Sequence, residues 1–261
     1  MSNLVQRIIT GILLIGLLLG SLYYYTTGAV AVFALFGAIG AMEYWKYSPS
    51  MNAKFSIVPA AGIMTFILFN GMHKPQVFQL GLALIIPAFL AIELFGSKEL
   101  NWNKAIHRFV PIFWLAIPLA LFTEFISYSD SFFISAAILI GVWTNDTMAY
   151  VCGRTLGKRK FAPTISPNKT WEGVIGGLIF AGVAMVFWLP DYHPATKFAL
   201  GVFIGVGSTI GDLAQSYWKR SVGIKDSGKI LVGHGGILDR FDGFLFAAPL
   251  AILLFYIIDL L

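Results

Sequence analysis

The 261-residue sequence is short of charged residues and has a single cysteine, and each shortage excludes a class of protein. Charged residues make up 12% of the chain, whereas a soluble domain usually carries about 25%. With 57% hydrophobic residues and a mean hydropathy of +0.78, the chain is too apolar for a water-soluble fold. The lone Cys152 excludes an internal disulfide, and we expect it to be a small packing residue. Because no long soluble segment remains, we expect one membrane-embedded unit.

Long apolar runs are what the sequence has in abundance. A helix that crosses a bilayer needs roughly 20 apolar residues. Runs bounded by charged or turn residues number about nine. They are 8–25, 29–45, 55–72, 77–95, 109–126, 132–151, 173–189, 198–214 and 244–261. The predicted fold class is therefore all-α, a polytopic membrane protein with about nine transmembrane helices.

The distribution of basic residues supports this arrangement. If nine spans alternate in direction, the N-terminus and every second loop lie on one side of the membrane. Of the eighteen Lys and Arg residues, all but Lys74 and Lys197 fall on that side. Because Lys and Arg concentrate in cytoplasmic loops, the bias predicts a cytoplasmic N-terminus. It also explains the excess of basic over acidic residues without a nucleic-acid partner.

Polar residues gather in the second half of the chain, in loops at 153–173 and 215–243 that both face the predicted cytoplasmic side. Two acids also enter the flanking spans, Asp146 late in the sixth and Asp212 late in the eighth. An Asp at the centre of a membrane helix costs about 2.5–3.5 kcal/mol on insertion scales. Such an acid is usually turned inward and functional. The alternative is a position close enough to the interface to reach water or a basic loop residue.

Asp239 and Asp242 are three residues apart, just before the last apolar run. If "ILDRFDG" begins the last helix, both carboxylates project from one face, with Cβ atoms about 5–6 Å apart. Two metal ions in a phosphoryl-transfer site lie about 3.5–4 Å apart, so the pair could share or flank them. Mg²⁺ favours carboxylates plus substrate phosphates over an all-protein cage. The alternative is that both acids simply favour the positive end of the helix macrodipole.

Glycines and basic residues adjoin this acidic pair. The stretch "GHGG" at 233–236 lets backbone N–H groups approach a ligand and form an anion-binding concavity. It lies between Lys225 and the Asp pair, which is what makes it informative. His234 could donate to a phosphate, act in proton transfer, or be only a turn residue.

Two further acids have structural explanations. Thr170 is predicted to cap the seventh span, and Glu172 in its first turn suits the macrodipole. Glu43 lies one turn before Lys46 and is expected to pair with it. Helix capping does not explain Lys169, which stays a candidate for phosphate binding.

The segment "SYWKRSVGIKDSGKILVGHGGILDRFD" at 216–242 resembles the signature of phosphatidate cytidylyltransferases, the CDP-diacylglycerol synthases. The matching positions are Ser216, Lys219, Arg220, Lys225, Asp226, His234, Gly235, Gly236, Asp239, Arg240 and Asp242. The stretch at 145–177 is similar to the family's Asp-x-x-Ala-Tyr-x-x-Gly-Arg and Ser-Pro-x-Lys-Thr-x-Glu-Gly segments. Trp218 and Val232 depart from the pattern, but neither is a ligand type.

The resemblance implies that CTP and phosphatidic acid react to give CDP-diacylglycerol and pyrophosphate with Mg²⁺, as one ion or with a second metal. It divides the candidate residues into three overlapping roles. The catalytic residues are Asp146, Asp212, Asp239, Asp242, Lys225 and Asp226. The metal ligands are Asp212, Asp239 and Asp242. The substrate-binding residues are Ser166, Lys169, Thr170, Lys219, Arg220, His234, Gly235, Gly236 and Arg240.

With these roles, the chain divides into N-terminal transmembrane helices at 1–131 and a C-terminal transmembrane catalytic region at 132–261, within one integrated unit. The two polar loops then become cytoplasmic catalytic loops. The expected location is a bacterial cytoplasmic membrane with the active site facing the cytoplasm, and a homodimer is an open option. Two alternatives remain. A CTP-dependent polyprenol or lipid kinase would release CDP, and a transporter would favour broken helices and polar sites at mid-membrane in two related halves.

Overall fold

The computed structural model describes residues 3–47, 57–70, 102–129, 131–190, 192–231 and 235–260. They belong to two compact units, one formed by residues 1–128 with Gly236–Leu238 and the other by residues 129–235 with 239–261. Among the described residues, six helices are long and apolar enough to cross a membrane. The predicted span at 77–95 lies outside the described residues, so the count of about nine stays a prediction.

The first unit is helical throughout its described part. Its helices are α1 (Asn3–Tyr24), α2 (Thr26–Lys46), α3 (Ile57–Asn70), α4 (Trp102–Pro111), a π-helical turn (Ile112–Ala116) and α5 (Ile117–Ser129). The π-turn follows Pro111 directly and is followed by Pro118. Because proline has no backbone N–H, the regular hydrogen-bond ladder is interrupted at both positions. The candidate membrane span Phe109–Ser129 runs through this interruption.

The core of the first unit is aromatic and aliphatic. The rings of Phe33 and Phe122, both fully buried, meet edge to face with their centroids 4.8 Å apart. Gly37 leaves the space into which Ile67 and Leu119 pack. A small residue at such a contact lets two membrane helices approach closely.

The second unit contains the other helices and one small sheet. Its elements are α6 (Phe132–Thr155), β1 (Lys160–Ala162), β2 (Ser166–Thr170), α7 (Trp171–Trp188), α8 (Pro194–Ser221) and α9 (Leu238–Leu260), whose residues from Asp239 onward belong to this unit. The strands form an antiparallel hairpin with Lys160 opposite Thr170. The prediction of a helical membrane protein is confirmed, and this short hairpin is a feature that it did not include. Pro167 disfavours helix at the residue before it, and the segment instead folds back on itself as a hairpin.

Close helix packing in the second unit depends on glycines, which have no side chain. Gly141 of α6 faces Ile204 of α8, and Gly182 of α7 faces the Phe198 ring. Cys152 is buried and not in a disulfide, as expected, with Gly176 making room for its Sγ atom. These approaches bring α6, α7 and α8 together and position the polar ends of α6 and α8.

Many large apolar side chains point outward. Phe187 is 85% exposed, Leu13 67% and Ile12 65%. Soluble proteins rarely expose such surfaces, whereas lipid tails would cover them. Together with the six long apolar helices, this identifies a membrane protein.

Candidate active site

An open cavity of 590 Å³ lies in the second unit, and its walls combine acids with bases. It is formed by the ends of α6, α8 and α9, by the hairpin and the start of α7, and by Asp226 in the segment after α8. The charged residues that line it are Asp146, Arg154, Lys169, Asp212, Lys219, Asp226, Asp239, Arg240 and Asp242. The structure thus brings the four predicted catalytic aspartates of the helices to one cavity, together with residues of both polar loops.

Asp239 has the most constrained carboxylate of this group. It lies in the first turn of α9 and is 9% exposed. One carboxylate oxygen accepts from Lys219 Nζ at 2.9 Å and from Gln215 Nε2 at 3.0 Å. The other accepts from the backbone N–H of Ser227 at 2.8 Å. A carboxylate held by three donors is fixed in position before any substrate arrives.

Gly235 shapes the space beside that carboxylate. Its φ is +85°, a backbone conformation that favours glycine. A Cβ atom at this position would lie 2.9 Å from Oδ2 of Asp239. Any other residue would therefore be strained and would press on the carboxylate.

Asp212 lies in the last third of α8 and pairs with Lys169 of the hairpin. Ser216, one turn further along α8, donates to its Oδ1 atom at 3.3 Å. The ion pair joins the polar loop at 153–173 to the helix that leads into the polar loop at 215–243. Lys169 therefore has a charged partner at the cavity wall, which helix capping alone did not explain.

Asp146 and Asp242 complete the acidic wall. Asp146 accepts from Ser208 Oγ at 2.8 Å and from Asn145 Nδ2 at 3.2 Å. Asp242 lines the same cavity as Asp146 and Asp212. Ionised carboxylates around one cavity repel one another, so a cation held among them would be favoured.

The hairpin side of the cavity follows the predicted capping pattern. Thr170 is the N-cap of α7, and its Oγ1 atom accepts from the backbone N–H of Gly173 at 3.2 Å. Glu172 in the first turn accepts from the backbone N–H groups of Lys158 and Arg159 at 3.0 and 3.2 Å. The prediction that Thr170 caps this helix is confirmed. The carboxylate of Glu172 therefore also joins the residues before β1 to the helix that follows β2.

Several candidate residues do not line the cavity. Of the described residues, those predicted for the site but outside the cavity lining are Ser166, Arg220, Lys225, Gly235 and Gly236. Arg220 donates to the carbonyl oxygen of Ile224 at 3.2 Å, and both Arg220 and Lys225 are exposed. His234 lies outside the described residues.

Three polar residues of the site were not among the predicted site residues. Arg154 lines the cavity and donates to the hydroxyl of Tyr150 at 2.8 Å. Asn145 is buried beside Asp146. Gln215 is fully buried, and its Oε1 atom has no hydrogen-bond partner among the described residues. The available signal was position, because Gln215 lies one helical turn from both Asp212 and Lys219.

The residues present fit a hard divalent cation. Within the described part of the chain, no three His, Cys, Asp or Glu side chains are grouped closely enough to hold a metal ion by themselves. Mg²⁺, however, is usually bound through one or two carboxylates and completed by water and substrate phosphates. The cavity offers Asp212, Asp239 and Asp242 as oxygen donors, with room left for a ligand that carries phosphates.

The contact between Gln215 and Asp239 predicts a positioning role for Gln215. Gln215→Leu removes a hydrogen bond to a buried carboxylate. A hydrogen bond to a charged group contributes at least about 1.5 kcal/mol. We therefore expect the turnover number to fall about tenfold, and the Mg²⁺ concentration for half-maximal rate to rise. Steady-state rates over a Mg²⁺ titration measure both. Unchanged values in a folded Gln215→Leu variant would contradict the role.

The helices and the cavity define a class of protein: a polytopic helical membrane protein with acids and bases at one site, suited to phosphate groups and a divalent cation. The model of the cytidylyltransferase family matches residues 5–258, nearly the whole sequence, and the chain belongs to this family. The match covers the apolar first half as well as the two motif-bearing segments.

Similar proteins from three bacteria carry the name phosphatidate cytidylyltransferase. The protein of Staphylococcus aureus strain COL is 35% identical over 232 residues, which cover 84% of this chain and 88% of that protein. The protein of Bacillus subtilis strain 168 is 31% identical, with 95% of this chain and 96% of that protein covered. The protein of Haemophilus influenzae is also 31% identical, with coverages of 94% and 96%.

Proposed function

We propose that this protein transfers the cytidylyl group of CTP to phosphatidic acid, giving CDP-diacylglycerol and pyrophosphate in phospholipid biosynthesis. The observation that carries the proposal is the single cavity in which Asp146, Asp212, Asp239 and Asp242 meet Lys169 and Lys219. Family membership and the names of the similar proteins support the substrate pair.

The reaction makes charge the main obstacle. An oxygen of the lipid phosphate attacks the α-phosphorus of CTP in line, a P–O bond forms, and the bond to the β-phosphate oxygen breaks. The nucleophile is already an anion, so no hydroxyl proton has to be removed. Two polyanions must nevertheless approach each other. Catalysis is therefore mainly charge neutralisation and alignment within the cavity.

Acidic residues hold the cation that this chemistry needs. When bound, Mg²⁺ neutralises phosphate charge and orients the reacting phosphates. We assign Asp212, Asp239 and Asp242 to hold it, with Asp146 close by and substrate oxygens completing the ligand set. Asp239 is fixed by its three donors, while Ser216 orients Asp212. A second metal ion is compatible with four carboxylates around one cavity.

Basic residues are assigned to the phosphates. Lys169 and Lys219 each pair with a cavity aspartate, so a phosphate bound next to that aspartate would also contact the ammonium group. Arg240 and Arg154 line the same cavity and can bind phosphate oxygens through two N–H groups at once. Arg220 and Lys225 keep their proposed role in binding phosphates, and Lys225 and Asp226 stay catalytic candidates. The stretch 234–236 keeps its proposed role in shaping the triphosphate site. Ser166 and Thr170 keep theirs in orienting a phosphate.

The membrane setting suits the two substrates. The acyl chains of phosphatidic acid can stay among the apolar helices while its phosphate reaches the polar ends of α6, α8 and α9. CTP arrives from water. We place the site at the cytoplasmic face of a bacterial inner membrane, following the distribution of Lys and Arg residues. A homodimer stays an open option.

Product analysis tests this function directly. Purified protein incubated with CTP labelled at the α-phosphate, phosphatidic acid and Mg²⁺ is expected to release pyrophosphate and to place the label in the lipid. Omitting phosphatidic acid or chelating Mg²⁺ should abolish both products. Release of CDP with an unlabelled phospholipid product would instead indicate a kinase. No turnover of CTP under any of these conditions would reject the proposal.

A further inference from the structure

Glu43 is a buried acid in the last turn of α2, and it contacts residues near the far end of the chain. It belongs to α2, and 5% of its surface is exposed. Its Oε1 atom accepts from the backbone N–H of Ile237 at 3.1 Å, and its Oε2 atom from that of Leu238 at 2.9 Å. Both partners belong to Gly236–Leu238, the short segment that packs within the first unit.

These two N–H groups stand at the start of α9, which begins at Leu238. The first N–H groups of a helix have no partner within the helix, and burial without one is costly. Helix N-termini usually obtain a partner from a nearby Ser, Thr, Asp or Asn. Here the partner is a carboxylate 194 and 195 residues away in sequence, and it places negative charge where the helix macrodipole favours it.

The position of this cap matters because of the residue that follows it. Leu238 is joined directly to Asp239, and Asp242 comes one turn later. Ile237 and Leu238 are themselves 3% and 0% exposed, so the start of the helix is held by its side chains as well as by Glu43. Two of the three carboxylates assigned to the cation, those of Asp239 and Asp242, therefore follow within about one turn of the N–H groups that Glu43 binds.

We propose that Glu43 is a positioning residue for the reaction: by binding the N–H groups of Ile237 and Leu238, it fixes the first turn of α9 and so the placement of Asp239 and Asp242. Glu43 does not line the cavity described above, and it is not assigned contact with either substrate. The inference rests on the proposed function, because it assigns those two aspartates to the cation.

Glu43→Gln tests the proposal at constant side-chain size. The amide keeps one accepting oxygen but turns an N–H group toward a backbone donor, and it removes the negative charge. We expect the turnover number to fall about tenfold, because the free energy of one charged hydrogen bond corresponds to about that factor in rate. The Mg²⁺ concentration for half-maximal rate is expected to rise, and excess Mg²⁺ should restore part of the rate. Glu124→Gln in α5 is the matched control and should behave like the wild type.

The Mg²⁺ titration separates positioning from folding. A residue that only stabilises the fold would lower the amount of folded protein and leave the rate and the Mg²⁺ requirement of the folded fraction unchanged. That result, or wild-type values in a folded Glu43→Gln variant, would overturn the inference. If the wild-type protein is active and Glu43→Gln equals it, only the inference fails. An inactive wild-type protein would reject the proposed function instead.

Amide hydrogen exchange tests the contact without any activity. In the wild-type protein the N–H groups of Ile237 and Leu238 should be protected, although no helical partner is available to them. In Glu43→Gln their exchange should be at least about tenfold faster, while amides in the middle of α2 keep their rates. Rapid exchange of both groups in the wild-type protein would overturn the inference even if Glu43→Gln could not be purified.

Discussion

Asp239→Asn is expected to lower CDP-diacylglycerol formation by about 10³-fold, at the upper end of what removing one preorganised electrostatic contact costs an enzyme. The substitution preserves the shape of the side chain but removes its charge. Lys219 then loses its carboxylate partner at 2.9 Å, and the cation loses an assigned oxygen ligand. Asp239 now accepts hydrogen bonds from three donors, and the amide of the Asn side chain would have to turn its own N–H group toward one of them.

Pyrophosphate release under saturating CTP and phosphatidic acid measures this loss. Glu124→Gln, which removes a charge from α5 at a position without an assigned role, should retain the wild-type rate. The amount of inserted protein and its thermal unfolding should show that Asp239→Asn still folds. Activity within a few-fold of the wild type would reject the assignment of Asp239 to the cation.

Local signals in the sequence predicted the helix ends well. "ILDRFDG" was considered as a start of the last helix, and α9 does begin at Leu238, with Asp239 and Asp242 one turn apart. Thr170 was expected to cap the helix after the hairpin, and its Oγ1 atom does so. Both predictions depended on residues within four positions of each other. At that range, spacing and side-chain chemistry determine the contact.

Contacts between distant parts of the chain were not predictable in the same way. Glu43 was interpreted through Lys46, its neighbour one turn away. Its carboxylate oxygens accept hydrogen bonds from the backbone N–H groups of Ile237 and Leu238, which that neighbourhood does not indicate. Likewise, the pairing of Lys160 with Thr170 depends on how the segment between α6 and α7 folds back, which its apolar pattern does not indicate. A spacing rule carries no information about a partner that only the tertiary fold brings near.

The convergence of the acids illustrates both situations. The free-energy cost of placing an acid within a membrane span pointed to Asp146 and Asp212 individually, because such acids are usually functional. Their arrival at one cavity with Asp239 and Asp242 required the close packing of α8 and α9, which depends on glycines. The sequence shows those glycines without showing what faces them.

Gly211 is the glycine on which the geometry of this acidic wall depends most directly. It is buried in α8 immediately before Asp212. A Cβ atom there would overlap the carbonyl oxygen of Asp242 and lie 3.1 Å from the Cα atom of Gly243. Both are backbone atoms, so no side-chain rotation can relieve the overlap. In Gly211→Ala the two helices must move apart, and the carboxylates of Asp212 and Asp242 move with them.

We expect Gly211→Ala to reduce turnover by about 10²-fold, because a displacement near 1 Å at reacting groups costs that much. Overpacking should also destabilise the protein by about 1–3 kcal/mol. Gly20→Ala in α1 is the matched control: nothing lies within 4 Å of its added Cβ atom, so its activity should be unchanged and its helix slightly more stable. Rates and thermal unfolding of both variants in the same detergent compare them. If Gly211→Ala had the same rate and stability as Gly20→Ala, the contact between α8 and α9 at Gly211 would be contradicted. The placement of Asp212 and Asp242 would then not depend on that contact.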